Sequence, residues 1–357
     1  MSKKPLILGI ETSCDETAAS LITENEQGNP IVLSNIISSQ TDVHKEFGGV
    51  VPELAARSHI EKIDWIVKKA IEDSGKKIEE IDAVASTAGP GLIVCLSIGL
   101  SFGKAFASTL HKPFIAVNHL EGHALSPKLN SKLHYPYLLL LISGGHTQFL
   151  SVLGLGNYKR LGTTIDDALG EAFDKTAKLL GIEFPGGPQI EIFAKKGNPD
   201  KYILPKPIFH KGGCNLSFAG LKTAVLKISK QIKTDQEKYD LAASFQKTIE
   251  LILYKKSKIA FRRFKDMNKT NDNKFVVAGG VAANENIREV LNNLCKEENF
   301  KAFFPPINLC GDNAAMIAMV GLEKYKLNQF NKLDHPAKPR WPLDEDAAFL
   351  KGAGVKF

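Results

Sequence analysis

The stretch Leu6-Ile7-Leu8-Gly9-Ile10-Glu11-Thr12-Ser13-Cys14-Asp15-Glu16-Thr17-Ala18-Ala19-Ser20-Leu21-Ile22 decides the fold. Its apolar flanks, 6–10 and 18–22, read as two strands, and the polar segment between them as a hairpin turn. Ser, Thr and Asp favour turns, so a solvated β-turn is the plain reading. Seven consecutive side chains bearing oxygen or sulfur are more than a turn needs, and hydroxyls and backbone N–H groups in such a turn can cradle phosphate.

Outward from this hairpin the chain repeats itself. A third strand (31–38), a long amphipathic helix (53–72), a strand (83–86), an apolar helix (92–110) and a strand (114–117) follow. From Tyr137 the order restarts: strand 137–142, the turn Ser143-Gly144-Gly145-His146-Thr147, return strand 148–153, and a third strand at 160–163. A helix over 166–180, N-capped by Asp or Thr and stopped by Gly181, comes next. Residues 189 to about 250 read as mainly helical, with a Pro/Gly-rich excursion near 204–213. A basic helix (251–265) precedes strand 275–278, the segment Gly279-Gly280-Val281-Ala282-Ala283-Asn284 and a helix from Glu285 to Leu294. A short strand (302–304), a helix from Ala314 and a Pro-rich tail complete the chain. The expectation is an α/β protein of the actin-like, sugar-kinase-like ATPase fold, with two duplicated subdomains around a nucleotide cleft. Expected boundaries are 1–125, then 126–325 with a helical insertion at about 189–250, and a tail, 326–357, returning to the first subdomain.

Bulk properties bound the function. The 357 residues are 43% hydrophobic and 24% charged, ordinary for a globular protein of two domains. No apolar run approaches the roughly 20 residues that span a bilayer, and the start, Met1-Ser2-Lys3-Lys4-Pro5, lacks a signal-peptide pattern. A cytoplasmic protein is expected. Five scattered cysteines without a CxxC argue against a disulfide framework and a zinc ribbon. The formal charge of +7 suits a polyanionic partner without demanding one, and the basic run 251–265 reads as a solvated face.

Three features carry chemistry. Glycines at 144–145 and 279–280 let backbone approach a ligand closely, and with the 11–17 turn they point to nucleotide binding, although neither a Walker A loop nor GxGxxG occurs. Asn284 can serve a ligand or cap the helix that follows. The third feature is Asn118-His119-Leu120-Glu121-Gly122-His123. On a helix His119 and His123 share a face, whereas Glu121 points about 200° away from either, which removes the metalloprotease reading. Asp312, in a turn opening a helix in the opposite half of the sequence, can be an N-cap or a third metal ligand. If the halves face each other, two imidazoles and a carboxylate converge on Fe(II) or Zn with open positions for substrate. A sugar- or acetate-kinase reading of the same fold leaves the histidine pair without a role.

Gly9-Ile10-Glu11-Thr12-Ser13-Cys14-Asp15-Glu16-Thr17, His119-Leu120-Glu121-Gly122-His123, Ile142-Ser143-Gly144-Gly145-His146-Thr147-Gln148, Gly170-Glu171-Ala172-Phe173-Asp174-Lys175, Gly279-Gly280-Val281-Ala282-Ala283-Asn284 and Arg340-Trp341-Pro342-Leu343, in that order, resemble the tRNA N6-adenosine threonylcarbamoyltransferase family, in its bacterial TsaD-like branch. The likeness runs essentially end to end. It implies transfer of threonylcarbamoyl from threonylcarbamoyl-adenylate to N6 of adenosine 37 in tRNAs reading codons that begin with A. It implies one divalent metal per chain, Fe(II) with zinc acceptable, on His119, His123 and Asp312. It implies substrate contacts at Ile142, Ser143, Gly144, Gly145, His146, Asp174, Gly187, Glu191 and Asn284. The partners it implies are tRNA, a smaller metal-free paralogue and an ATPase. Leu141 stands where archaeal-type members carry a metal-ligating tyrosine, and an aliphatic side chain cannot replace that ligand. Asp15 or Glu16, beside the polar turn, is the expected acceptor of the amine proton.

Overall fold

A computed structural model of the chain describes residues 4–348, which divide into two compact units. The first comprises the chain up to Leu133 together with Pro305–Glu345; the second comprises His134–Phe304 and the residues from Asp346. The chain therefore leaves the first unit at 133 and returns at 305, where the sequence reading places those crossings at 125 and 326. The end of the tail, 349–357, lies outside the described residues.

In the first unit β1 (Ile7–Glu11), β2 (Glu16–Glu24) and β3 (Pro30–Ser39) form an antiparallel meander. The short helix α1 (Thr41–Lys45) and the long helix α2 (Pro52–Asp73) lead to β4 (Ala83–Gly89), α3 (Ile93–Thr109), β5 (Phe114–Asn118) and α4 (His119–Leu125). β4 and β5 add parallel to β1, so the sheet order is β3-β2-β1-β4-β5. β1 and β4 are buried along their whole length, which explains their apolar or small-residue sequences, Glu11 at the end of β1 excepted.

The second unit repeats this sheet. β6 (Tyr137–Ile142), β7 (Thr147–Gly154) and β8 (Asn157–Thr163) form the meander; β9 (Lys274–Ala278) and β10 (Lys301–Phe303) complete the order β10-β9-β6-β7-β8. Its helices are α5 (Leu169–Leu179), α6 (Gly186–Ala194), α7 (Ala219–Ser229), α8 (Asp235–Asn268) and α9 (Glu285–Glu297). The 251–265 helix is thus the second half of a 34-residue helix opened by a Thr234–Glu237 capping box.

The expected helix start at Asp166 is displaced to Leu169 for a definable reason. Asp166 Oδ1 accepts the backbone N–H groups of Phe218 (2.7 Å) and Ala219 (3.2 Å), and Oδ2 accepts the Ser217 hydroxyl, so this carboxylate caps the remote α7 and not its own helix. Gly181, at φ +72, ends α5 as expected.

The last helix, α10 (Ala314–Lys326), lies on the first sheet, so the turn before it belongs to the histidines' own unit. This corrects the placement of Asp312 in the opposite half. The contact is very close. A Cβ on Gly9 of β1 would lie 2.4 Å from the Ala314 carbonyl oxygen and 2.6 Å from the Ala318 nitrogen, both backbone atoms that cannot rotate away. Gly9→Ala is expected to lower unfolding stability by about 3 kcal/mol in denaturant titrations, because strand and helix must separate.

Candidate metal site and its supporting network

The strand β5 ends at Asn118, whose side-chain oxygen accepts the Leu120 N–H at 2.9 Å and so starts α4 at His119. The Asn118 amide also donates to the Trp341 carbonyl at 3.0 Å, which ties the Arg340-Trp341-Pro342 segment to the start of this helix. His119 and His123 then sit one turn apart, with ring centroids separated by 4.8 Å and rings nearly perpendicular. Glu121 turns to Lys324, 3.2 Å away, as its position on the helix requires.

Asp312 reaches the same point from the turn before α10. Its Oδ1 lies 3.1 Å from His123 Nε2 and 3.5 Å from His119 Nε2. The capping role that could have claimed it is taken by Asn313, whose Oδ1 accepts the Met316 N–H at 3.0 Å. One ligand atom from each of His119, His123 and Asp312 falls within 4.8 Å of the others. Without a cation one carboxylate oxygen serves two imidazoles, and the buried His123 Nδ1 has no hydrogen-bond partner among the described residues. Two imidazole nitrogens and a carboxylate oxygen suit Fe(II) or Zn.

Glu11 completes the arrangement from below. It is fully buried at the end of β1 and accepts hydrogen bonds from the Thr87 hydroxyl and the Ser13 N–H, both at 2.5 Å. Its Oε2 lies 3.1 Å from His119 Nδ1. A proton on Nδ1 held by this carboxylate leaves Nε2 free for a cation, the usual way a buried carboxylate orients a metal-binding imidazole. Burial opposes charge on His119, but Asp312 and Glu11 outweigh it and raise its pKa to about 9. Burial also pushes Glu11 up, and His119 reverses that shift, so its carboxyl stays below the ordinary range.

The 11–17 turn is held from several sides. Leu92 N–H donates to the Ser13 carbonyl at 2.9 Å, Thr12 donates to the Cys95 carbonyl at 2.9 Å, and Gln40 N–H donates to the Asp15 carbonyl at 3.1 Å. Beneath it runs a directional chain. Val51 N–H donates to His44 Nδ1 (3.3 Å), His44 Nε2–H to Gln40 Oε1 (3.2 Å), the Gln40 amide to His59 Nδ1 (3.3 Å), and His59 Nε2–H to the Cys14 carbonyl (3.0 Å). The amide donor at one end and the carbonyl acceptor at the other assign the tautomer of both histidines. Burial, the largest influence, keeps His59 below its ordinary pKa and therefore neutral. Glu16 lies in the same turn. Burial first, then the charges of Asp312 and Asp15, push its carboxyl well above the ordinary range, and it hydrogen-bonds to Asp15.

Sequence reasoning passed over Glu11, Gln40, His44 and His59. A glutamate closing an apolar strand was the one signal available for Glu11; nothing local marks the other three.

In the second unit the Ser143–His146 turn closes on itself through Ser143 N–H to the His146 carbonyl, at 2.8 Å. Gly170 and Gly279 crowd it: Cβ atoms there would lie 2.8 Å from the Ser143 oxygen and 2.4 Å from the Ile142 oxygen. Gly279 also adopts φ +97, in the region that favours glycine. Among the described residues, nothing approaches within 4 Å of where a Cβ would stand on Gly144, Gly145 or Gly187, so their backbone faces open space. Asp174 Oδ1 accepts the Gly186 N–H at 2.9 Å and orders the start of α6, while Glu191 Oε1 accepts the Glu285 N–H at 2.8 Å. Asn284 caps α9 through Ile287 N–H (3.0 Å) and exchanges two amide hydrogen bonds with Gln246.

The comparisons with known proteins agree with this picture. Residues 31–319 match the family model described as tRNA N6-adenosine threonylcarbamoyltransferase, TsaD. A tRNA N6-adenosine threonylcarbamoyltransferase of Pelagibacter ubique is 84% identical over 356 residues, covering 100% of both chains. The chain belongs to the tRNA N6-adenosine threonylcarbamoyltransferase family. A second relative of that name, from Rickettsia massiliae, is 52% identical and covers 95% of this chain and 98% of its own. HypF of T. kodakarensis, at 14% identity, superposes on 93% of this chain and 49% of its own with a TM-score of 0.61, which places the family member in the actin-like ATPase fold.

Two outcomes follow from the geometry. In the metal-free protein His119 favours folding by on the order of 3 kcal/mol at low pH. Its pKa is raised on folding, so that contribution is complete below pH 6.5 and lost as pH rises towards about 9. Denaturant titrations of wild type minus His119→Gln should show this fall, and a flat difference would refute it. His59→Ala should lower turnover in a tRNA-modification assay roughly 10-fold by loosening the Cys14–Glu16 turn, with metal content by mass spectrometry unchanged.

Proposed function

We propose that the protein transfers threonylcarbamoyl from threonylcarbamoyl-adenylate to N6 of adenosine 37 in tRNAs that read codons beginning with A. The observation that carries the reading is the convergence of His119, His123 and Asp312, with Glu11 on His119, in a member of this transferase family. The reaction is acyl transfer from a mixed anhydride to a weak amine nucleophile. N6 attacks the carbamoyl carbon, the carbon–oxygen bond to phosphate breaks, AMP departs, and N6 gives up one proton. AMP is already a good leaving group, so the protein must supply positioning and stabilisation of the developing oxyanion.

One divalent cation, Fe(II) or zinc, would be held by His119, His123 and Asp312 and would supply Lewis-acid stabilisation of negative charge on oxygen. Ile142, Ser143, Gly144, Gly145 and His146 contact the donor through the open backbone of their turn. Asp174, Gly187, Glu191 and Asn284 contribute from the helix starts that they build. Of the two carboxyls in the 11–17 turn, Glu16 is pushed above the ordinary range by burial and by the Asp312 and Asp15 charges. Asp15 or Glu16 takes the amine proton. A smaller metal-free paralogue and an ATPase complete the assembly, as the family resemblance implies. No helix of the described residues is long and apolar enough to cross a membrane, in keeping with a tRNA substrate.

The test uses preformed threonylcarbamoyl-adenylate and a tRNA transcript. His119→Ala and His123→Ala should each lose roughly 100-fold or more in rate, together with the single bound metal ion. Full activity without bound metal would overturn the metal's role. Unmodified adenosine 37 with the wild-type assembly would overturn the function.

A further inference from the structure

Positive charge is distributed very unevenly along this chain. Between Lys195 and Lys238 lie ten lysines against only Asp200, Asp235 and Glu237, a net charge of +7. That equals the formal charge of the whole protein, so the remaining 313 residues balance, with 36 basic and 36 acidic side chains. The segment belongs to the second unit and runs from the end of α6 through the 195–218 loop and α7 to the start of α8.

The other basic run, along α8, is largely consumed by the fold. Lys256 is buried and donates to the Lys211 and Gly213 carbonyls at 3.0 and 3.3 Å. Lys258 pairs with Glu298 at 2.8 Å, and Lys265 donates to the Glu298 carbonyl at 2.9 Å. In contrast, Lys227 in the last turn of α7, Lys230 and Lys233 in the link to α8, and Lys206 and Lys211 in the loop, are exposed, and none is paired with an acidic side chain among the described residues.

The exposed lysines lie at both ends of α7. On α7, Leu221 and Val225 are buried, whereas Thr223, Leu226, Lys227 and, just past its end, Lys230 face solvent. The loop is held against the other end of this helix. Pro207 lies 3.0 Å from where a Cβ on Gly220 would stand, and Lys256 anchors the Lys211–Gly213 backbone from below. His210 is exposed on the same loop beside the half-buried Phe209, giving flat rings among the cations.

We propose that this face, from loop 206–211 along α7 to Lys233, docks the tRNA. The proposal rests on the tRNA-modifying reading above and adds where the polyanion lies. Unpaired lysines on and beside a fixed helix and on an anchored loop neutralise phosphates, and the exposed His210 ring accepts an unstacked base of a single-stranded loop.

The experiment measures binding of fluorescently labelled tRNA to the full-length chain assembled with its two smaller partners, between 50 and 200 mM salt. The triple variant Lys227→Ala/Lys230→Ala/Lys233→Ala alters only exposed, unpaired side chains. It should raise Kd about 10-fold and lower the slope of log Kd against log salt by about 2 to 3, since each phosphate contact contributes roughly 0.7 to 0.9. KM for tRNA should rise, with kcat at saturating tRNA within about two-fold of wild type. The comparison variant Lys255→Ala/Arg262→Ala, on exposed positions of α8, should leave the slope unchanged. An unchanged slope in the triple variant, or loss confined to the comparison variant, overturns the proposal. Loss of partner assembly with tRNA affinity intact also overturns it, and assigns the face to an acidic protein. Failure of wild type to bind or modify tRNA instead refutes the functional reading itself.

Discussion

The candidate metal site depends on how closely α10 approaches β1. Gly9 is the point of contact: the absent Cβ lets the carbonyl of Ala314 and the nitrogen of Ala318 lie against the strand. That approach fixes the start of α10, hence the turn before it, hence Asp312. The same strand ends two residues later in Glu11, which holds His119. One strand therefore sets both the third ligand and the orientation of the first, and the histidine pair comes from α4, beyond the parallel strand β5.

The electrostatics of this region are those of a site built for a cation. Glu11 and Asp312 surround two buried imidazoles, and together they overcome the burial that would otherwise keep His119 neutral. Glu16 is pushed well above the ordinary carboxyl range by burial and by the Asp312 and Asp15 charges. A divalent cation would relieve both conditions, which is why this cluster is more than a set of buried hydrogen bonds. Beneath it, His44, Gln40 and His59 hold the turn through a chain whose polarity runs one way, from a backbone donor to a backbone acceptor. A protonated His59 would place a donor against the Gln40 amide, so its neutrality is a condition of the arrangement.

The second unit uses its polar residues differently. Asp174, Glu191 and Asn284 each satisfy a backbone N–H at or beside a helix start, as Asp166 does, so three of the residues proposed to meet substrate also build the scaffold around it. Its surplus lysines are gathered on a helical insertion between strands of a sheet that repeats the first. The insertion could acquire charge without disturbing either sheet, because none of its side chains belongs to the paired core strands.

The sequence by itself determined the duplicated order of elements along the chain, the position of the polar and glycine turns and the helical spacing of His119 and His123. These follow from local periodicity and turn chemistry, which act over a few residues. It also excluded Glu121 from the site, since 100° per residue places that side chain elsewhere. Tertiary structure alone decided which unit contains Asp312, that Asn313 and not Asp312 caps α10, and that Asp166 caps a helix 52 residues away. It alone brought Glu11 to His119 across 108 residues and His59 to Cys14 across 45. A carboxylate or an imidazole is selected by the groups that surround it after the chain has packed, and no pattern of neighbours along the chain encodes that choice.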